Sequence, residues 1–400
     1  MTAQSAPKAP AYTGLGELKA TLPSQFYFAP DHHEQELRKL WYRNWVYLCR
    51  ASTLSEPRAF RTFTIGNQSI LVLRDEHGTL RAFHNTCRHR GSVLCNEEEG
   101  RLRGKNLVCP YHGWSYSLEG DLAAVPRMGL PDEFDRSDYS LYKIALAEWG
   151  GCVFIRLEGP GATLDEMLRP NATRLANWPM ATLATGHVMR TVLACNWKVF
   201  WENFNECYHC PGVHPELSRL VPIYNRTIMG PYDDPSWENH KDDPDPRYRG
   251  GLRQGAVTWS VDGQAVGAAF PGLTEEERGA GHRFVTLWPT MYVVGHIDHM
   301  RMVTMRPLGP EQTELTVQWL FDPATLADPG FDLEKTISFA KLVVEQDGAA
   351  CELNQRGLRS VAHRQGVLMP QEYAVHAFHE WVRNGLAKTC ADSTRQCIEI

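Results

Sequence analysis

The period of apolar positions changes twice along this chain. Residues 1 to about 40 are polar and Pro-containing, with a helical pattern from His32 into Leu40. From 41 to about 155 the runs are short and alternating. TFTIG, SILVLRD and TLRAFHN are separated by Gly66-Asn67 and by the turn Asp75-Glu76-His77-Gly78, which predicts strands joined by tight turns. From about 156 the elements lengthen. ELTVQWLF (314–321) places Leu315, Val317, Trp319 and Phe321 on one face, as a half-buried strand does.

Two later segments read as helices. In NWKVFWENFNECYHCPGVHPEL (196–217) Asn196 can cap, and Phe200, Phe204 and Tyr208 form one stripe. Glu202, Glu206 and His209 then share a face, until Pro211-Gly212 breaks the helix and turns His214 back towards His209. In LEKTISFAKLVVEQDGAACELNQRGL (333–358) the stripe runs Ile337, Ala340, Val344, Asp347, Cys351, Leu358. The charged, Pro/Gly-rich stretch 233–251 reads as a mobile loop and a candidate lid. The expected class is α+β, a small all-β module set into a larger mixed domain. The expected divisions are 1–40 (a helical segment packing on the larger domain), 41–155 (the β module) and 156–400 (the larger domain).

Composition narrows the function classes. With 43% apolar and 22% charged residues and a net charge of −6, the chain has no basic field for nucleic acid or anionic membrane. No apolar run approaches the roughly 18 residues of a membrane span. The start, MTAQSAPKAPAYTG, lacks an export pattern, so the eleven cysteines are expected to be reduced thiols in the cytoplasm, some of them committed to metal.

The metal candidates begin at CRHRGSVLCNEEEGRLRGKNLVCPYHGW (87–114). Cys87 and His89 form C-x-H, and nineteen residues later Cys109 and His112 form C-x-x-H. A zinc Cys₂His₂ site is one reading, although zinc fingers pair like ligands. Mixed pairs suit a two-iron cluster whose cysteines hold one iron and histidines the other. The order, with PYHGW directly after the second Cys, resembles the Rieske [2Fe–2S] motif. Cys95 lies between the pairs and reads as a small buried thiol.

A second constellation follows. Two converging imidazoles, His209 and His214, make most of a 2-His-1-carboxylate triad for Fe(II). Asp347, a carboxylate on an apolar helix face, can complete it, the alternative being a salt bridge to a core Arg. Cys207-x-x-Cys210 could begin a zinc site but has no second C-x-x-C. The other close pair, His296 and His299, is expected on opposite faces of a strand.

Together the motifs resemble the α subunit of Rieske non-haem iron oxygenases, with WYRNW, the cluster motif, the His209/His214 segment and the EQD-containing helix in the family's order. The resemblance implies a curved antiparallel sheet gripped by helices and a homotrimer in which each cluster lies beside the neighbour's iron. It implies a cluster held by Cys87, His89, Cys109 and His112, Fe(II) held by His209, His214 and Asp347, and a bridging carboxylate at Glu206. It also implies O₂ as cosubstrate and NAD(P)H electrons arriving through a separate flavin/iron–sulfur reductase. Glu206 stands where most ring-hydroxylating members carry Asp and resembles the quaternary-ammonium subgroup acting on carnitine, glycine betaine or stachydrine, and ENFNECYHCPGVHPEL is similar to the betaine and stachydrine demethylases in particular. The implied reaction is N-demethylation of a small N-methylated substrate with formaldehyde release. A trimethylammonium group favours an aromatic cage, for which Phe200, Phe204, Tyr208, Trp259, Trp288, Tyr292 and Trp319 are candidates. Two alternatives stay open: oxidation or O-demethylation of an aromatic acid, and an electron carrier or structural metal protein without catalysis.

Overall fold

The computed structural model describes residues 12–126, 129–169 and 171–387. Strict alternation makes Gln312–Phe321 a strand, and Leu315, Val317, Trp319 and Phe321 are fully buried. It lies in a five-stranded sheet ordered Ala184–Leu193, Gln312–Phe321, His299–Gly309, Met291–His296, His282–Leu287, with every neighbour antiparallel.

The helix Leu333–Leu358 starts where the Asp332 side chain accepts from Lys335 N at 3.1 Å. Its stripe of Ile337, Ala340, Val344, Cys351 and Leu358 joins the same core as the sheet. Each large apolar side chain buried there contributes about 1.5–3 kcal/mol, so the stripe fixes the helix's rotation and, with it, the direction of Asp347. Gly348 permits the close approach, because a Cβ there would meet Leu193 Cδ2 at 2.9 Å.

The segment after Asn196 departs from expectation. Asn196 does cap, its side chain accepting from Lys198 N, but the helix is only Trp197–Phe204. The carboxylate of Glu206 takes the backbone N–H groups of Tyr208 and His209, which closes a turn in place of further helical bonds. Short helices Cys210–Val213 and Pro215–Leu220 follow. Pro211 therefore sits in the first turn of a new helix, where its missing N–H is harmless, instead of breaking an old one. Glu202 does not share a face with Glu206 and His209; it accepts from Tyr27 Oη at 2.6 Å and His379 Nε2 at 2.9 Å.

The β module has its own core, which includes Phe60, Leu71, Leu73, Phe83, Cys87 and Cys109. The expected strands are Ala59–Ile65, Gln68–Arg74 and Leu80–His84, joined in a four-stranded sheet with Glu99–Arg101. A three-stranded sheet of Asn106–Val108, Ser115–Ser117 and Leu122–Ala124 carries the second metal loop. A third sheet, Val46–Arg50 with Ala145–Trp149 and Cys152–Arg156, packs against the large domain, with Gln318 Nε2 donating to Tyr47 Oη at 3.0 Å. Cys95 is buried and free, its thiol pushed up to about 11 by burial, then by Glu97.

The N-terminal helix Pro30–Glu36 docks through a buried ion pair. Glu36 Oε1 lies 2.6 Å from Lys198 Nζ, and Glu36 Oε2 accepts from Trp197 Nε1 at 2.8 Å. The stretch 233–251 is not a bare loop, since it contains the helical turns Trp237–Asn239 and Pro246–Arg249 and is pinned by an Arg226–Asp234 ion pair. His296 and His299 flank the turn between two antiparallel strands, so they stack with ring centroids 4.3 Å apart instead of facing opposite ways. Among the described residues no helix is long and apolar enough to cross a membrane.

Candidate metal centres and active site

Two twin loops carry the C-x-H and C-x-x-H pairs. In the first, Cys87 N donates to Ser92 O at 2.8 Å and Gly91 N to Cys87 O at 2.9 Å. In the second, Cys109 N donates to Trp114 O at 2.8 Å and Gly113 N to Cys109 O at 3.0 Å. Both turns need a left-handed residue, and the glycines supply it with φ of 75° and 76°. The outcome is two buried thiols and two exposed imidazoles, His89 and His112, whose rings lie 4.7 Å apart. Trp114 stacks on His89 at 4.9 Å, and Tyr116 Oη lies 3.2 Å from Cys87 Sγ. Thiolates inside and imidazoles outside suit a [2Fe–2S] cluster with one iron towards the core and one towards the surface.

The second centre is built by the turn after Phe204 and the helix Leu333–Leu358. His209 Nε2 lies 3.2 Å from His214 Nε2, and Asp347 Oδ1 lies 2.8 Å from His214 Nε2 and 3.5 Å from His209 Nε2. Three cis ligands of an octahedral ion with bonds of about 2.1 Å sit about 3 Å apart, so these spacings match a facial set. The outward nitrogens are already committed. His209 Nδ1 donates to Glu206 Oε1 at 2.5 Å, and His214 Nδ1 donates to Gln346 Oε1 at 2.8 Å. Gln346 is held in turn by its bond to Glu216 Oε2 at 3.2 Å. With each Nδ1 protonated, two imidazole lone pairs and a carboxylate oxygen converge on one point, an arrangement that calls for a cation.

The electrostatics agree. Burial pushes the His209 imidazolium down, but its contacts with Asp347, Cys210 and Glu206 prevail and hold it up to about 12. Burial raises the Asp347 carboxyl, yet the two histidines bring it below the ordinary range. A field that grips a proton this firmly also attracts a metal ion.

A narrow cleft, with about 70 Å³ of water-accessible space, opens beside the triad. Of the cage candidates, Phe204, Trp259 and Tyr292 line it, and Phe204 stacks on Tyr292 at 3.6 Å. The others do not. Phe200 and Trp319 are core, Trp288 packs on Phe378 and Trp381, and Tyr208 lies beyond the helix end and is 48% exposed. Phe284, Tyr224 and Arg301 also line the cleft and were not anticipated from the sequence. Arg301 had a visible signal, a charge inside the apolar run HMRMV (299–303).

Comparison with known proteins shows both domains. Residues 173–388 match the family model described as ring hydroxylating alpha subunit (catalytic domain), and residues 44–135 match the Rieske [2Fe-2S] domain. The glycine betaine monooxygenase oxygenase subunit of Chromohalobacter salexigens is 31% identical, the alignment covering 90% of this chain and 84% of that protein. The chloroplastic choline monooxygenase of Beta vulgaris is 29% identical, over 92% of this chain and 77% of that one. In fold, the chain is similar to the quaternary ammonium Rieske monooxygenase CntA solved with L-carnitine, with a TM-score of 0.67 at 20% identity, covering 92% and 96% of the two chains. The chain therefore belongs to the Rieske non-haem iron oxygenases, as a ring-hydroxylating-type alpha subunit bearing a Rieske [2Fe–2S] cluster and a mononuclear non-haem iron.

Proposed function

We propose that this alpha subunit removes a methyl group from a betaine-type quaternary ammonium compound. The observation carrying the reading is the convergence of His209, His214 and Asp347 beside an aromatic cleft. Ring faces attract a trimethylammonium group, which offers no conventional hydrogen bond donor. Relatives named for glycine betaine and choline support the same substrate class.

Within this reading, Cys87, His89, Cys109 and His112 hold the cluster and His209, His214 and Asp347 hold the iron. When bound, the two groups supply electron transfer and O₂ activation. The chain's own residues position and insulate. Glu206 and Gln346 fix the imidazole tautomers, so both Nε2 lone pairs stay directed at the metal. Phe204 and Tyr292 hold the methylated nitrogen and exclude water. In a homotrimer Glu206, bonded to His209 Nδ1, would be the residue placed to link the iron ligand to a neighbouring subunit's cluster. A separate flavin/iron–sulfur reductase draws the electrons from NAD(P)H, in the cytoplasm. The working division of the chain is 1–40, 41–155 and 156–400.

The net conversion balances. O₂, two electrons and two protons turn an N–CH₃ group into N–CH₂OH and water. The hydroxyl then loses its proton to solvent as the C–N bond breaks, the electron pair staying on nitrogen, to give formaldehyde and the demethylated amine. The test is oxygen uptake with a reductase, NADH and a panel of substrates. Equimolar O₂ consumption and formaldehyde release with glycine betaine is expected. Uptake with benzoates and none with N-methylated compounds would sink the reading in favour of aromatic-acid oxidation.

A further inference from the structure

The cleft contains a buried cation that nothing in the iron chemistry uses. Arg301 lies in the strand His299–Gly309, opposite Val294, and is 4% exposed. Its Nε and Nη1 are buried and make no hydrogen bond. No carboxylate among the described residues comes within ion-pairing distance of it, and the two nearby acids are committed elsewhere. Asp298 accepts from Thr258 Oγ1 at 2.7 Å, His299 Nδ1 at 2.9 Å and Val266 N at 3.0 Å. Asp347 faces the two iron-site histidines. The guanidinium lies over the face of Trp259, 5.3 Å from its ring centroid. The indole Nε1 of that same Trp259 is a second buried donor without an acceptor.

An unpaired buried charge and an orphaned buried donor are both destabilising unless a ligand satisfies them. Two such groups in contact, both lining one cleft, mark a place where an anion belongs. We infer that Arg301, with Trp259, is the subsite for the carboxylate of the substrate, so that the enzyme acts on zwitterionic betaines and discriminates against N-methylated amino alcohols. This rests on the quaternary-ammonium reading above and narrows it, because the relatives include both a betaine and a choline enzyme.

The charge pattern of the cleft orients such a zwitterion. At the metal end, Asp347 and Glu206 together offset the two positive charges of Fe(II), so a quaternary nitrogen meets no net repulsion there. At the sheet wall, Arg301 offers a planar fork matched to a carboxylate. The methyl groups then face the iron site and the carboxylate faces away from it. A choline-like alcohol presents no charge to Arg301 and leaves it unpaired, a penalty that binding cannot recover.

The test is anaerobic calorimetry of the iron- and cluster-loaded protein with glycine betaine and with choline, for the wild type, Arg301→Met and Arg301→Lys. The wild type should bind glycine betaine more tightly than choline. Arg301→Met should weaken glycine betaine by about 30-fold or more, leave choline within a few-fold, and so reverse or abolish the preference. Arg301→Lys should recover part of it, since charge remains while the fork is lost. Equal weakening of both ligands, or no preference in the wild type, would overturn the inference and leave Arg301 as packing. Failure of the underlying reading looks different, because the wild type would then bind no quaternary ammonium compound, with or without a carboxylate.

Discussion

At the scale of single residues, the proposed iron site would depend on side chains outside the ligand set. Glu206 holds His209 Nδ1 and also closes the turn that presents it. Glu206→Gln keeps an acceptor for the imidazole but removes the charge. We expect it to retain iron near the wild-type level while formaldehyde release falls at least about tenfold; full activity would remove Glu206 from the electron path. The protonation of His209 sets a second expectation. In the metal-free protein its imidazolium is held up to about 12, with burial opposing and Asp347, Cys210 and Glu206 supporting. Fe(II) needs the bare lone pair, so loading displaces that proton. Affinity should therefore rise at least about tenfold per pH unit below that value, as read by Fe(II) titration at two pH values one unit apart. The convergence of His209, His214 and Asp347 was readable because their spacing is local or their burial periodic, as for Asp347 on its stripe. Arg301 was visible only as a charge within an apolar run; the face it occupies was not, because both faces of its strand are buried and alternation there carries no direction.

At the scale of elements, two glycines and one ion pair do the positioning. Gly113 and Gly91 both hold left-handed backbone, but their surroundings differ. A Cβ at Gly113 would meet Pro126 Cγ at 3.2 Å, whereas one at Gly91 finds only Thr86 Oγ1 at 3.8 Å. Both alanine variants pay roughly 1–2 kcal/mol of conformational strain, and Gly113→Ala should lose more cluster than Gly91→Ala by the visible absorbance of the purified protein. Glu36→Ala leaves Lys198 charged and fully buried, and should lower stability by about 3–5 kcal/mol in denaturant unfolding. Strands were legible where one face is wet or the turn carries Gly, as at Gly66 and Gly78. The helix end at Phe204 was not, because a local side-chain bond, and not the apolar period, decides it. Helical spacing continues unbroken through His209, and only the Glu206 carboxylate's capture of two backbone N–H groups stops it. The His296–His299 stack was misjudged because a strand pattern across a two-residue turn reads like one strand.

At the scale of the whole molecule, the sequence order of two metal motifs conveyed the architecture, since each needs its own core. The trimer is a further proposal with a direct check. Mixed oligomers of Cys87→Ser, lacking a cluster ligand, and Asp347→Ala, lacking an iron ligand, should regain about a quarter of wild-type formaldehyde release on random assembly. No recovery would confine electron transfer to one chain. Everything else rests on iron at the His209–His214–Asp347 site. The most direct measurement is metal analysis of the wild type and Asp347→Ala, with the reduced cluster followed by electron paramagnetic resonance. The account predicts about three irons per chain in the wild type and about two in the variant, with the cluster signal unchanged. Zinc in place of iron, or three irons still present without Asp347, would contradict it.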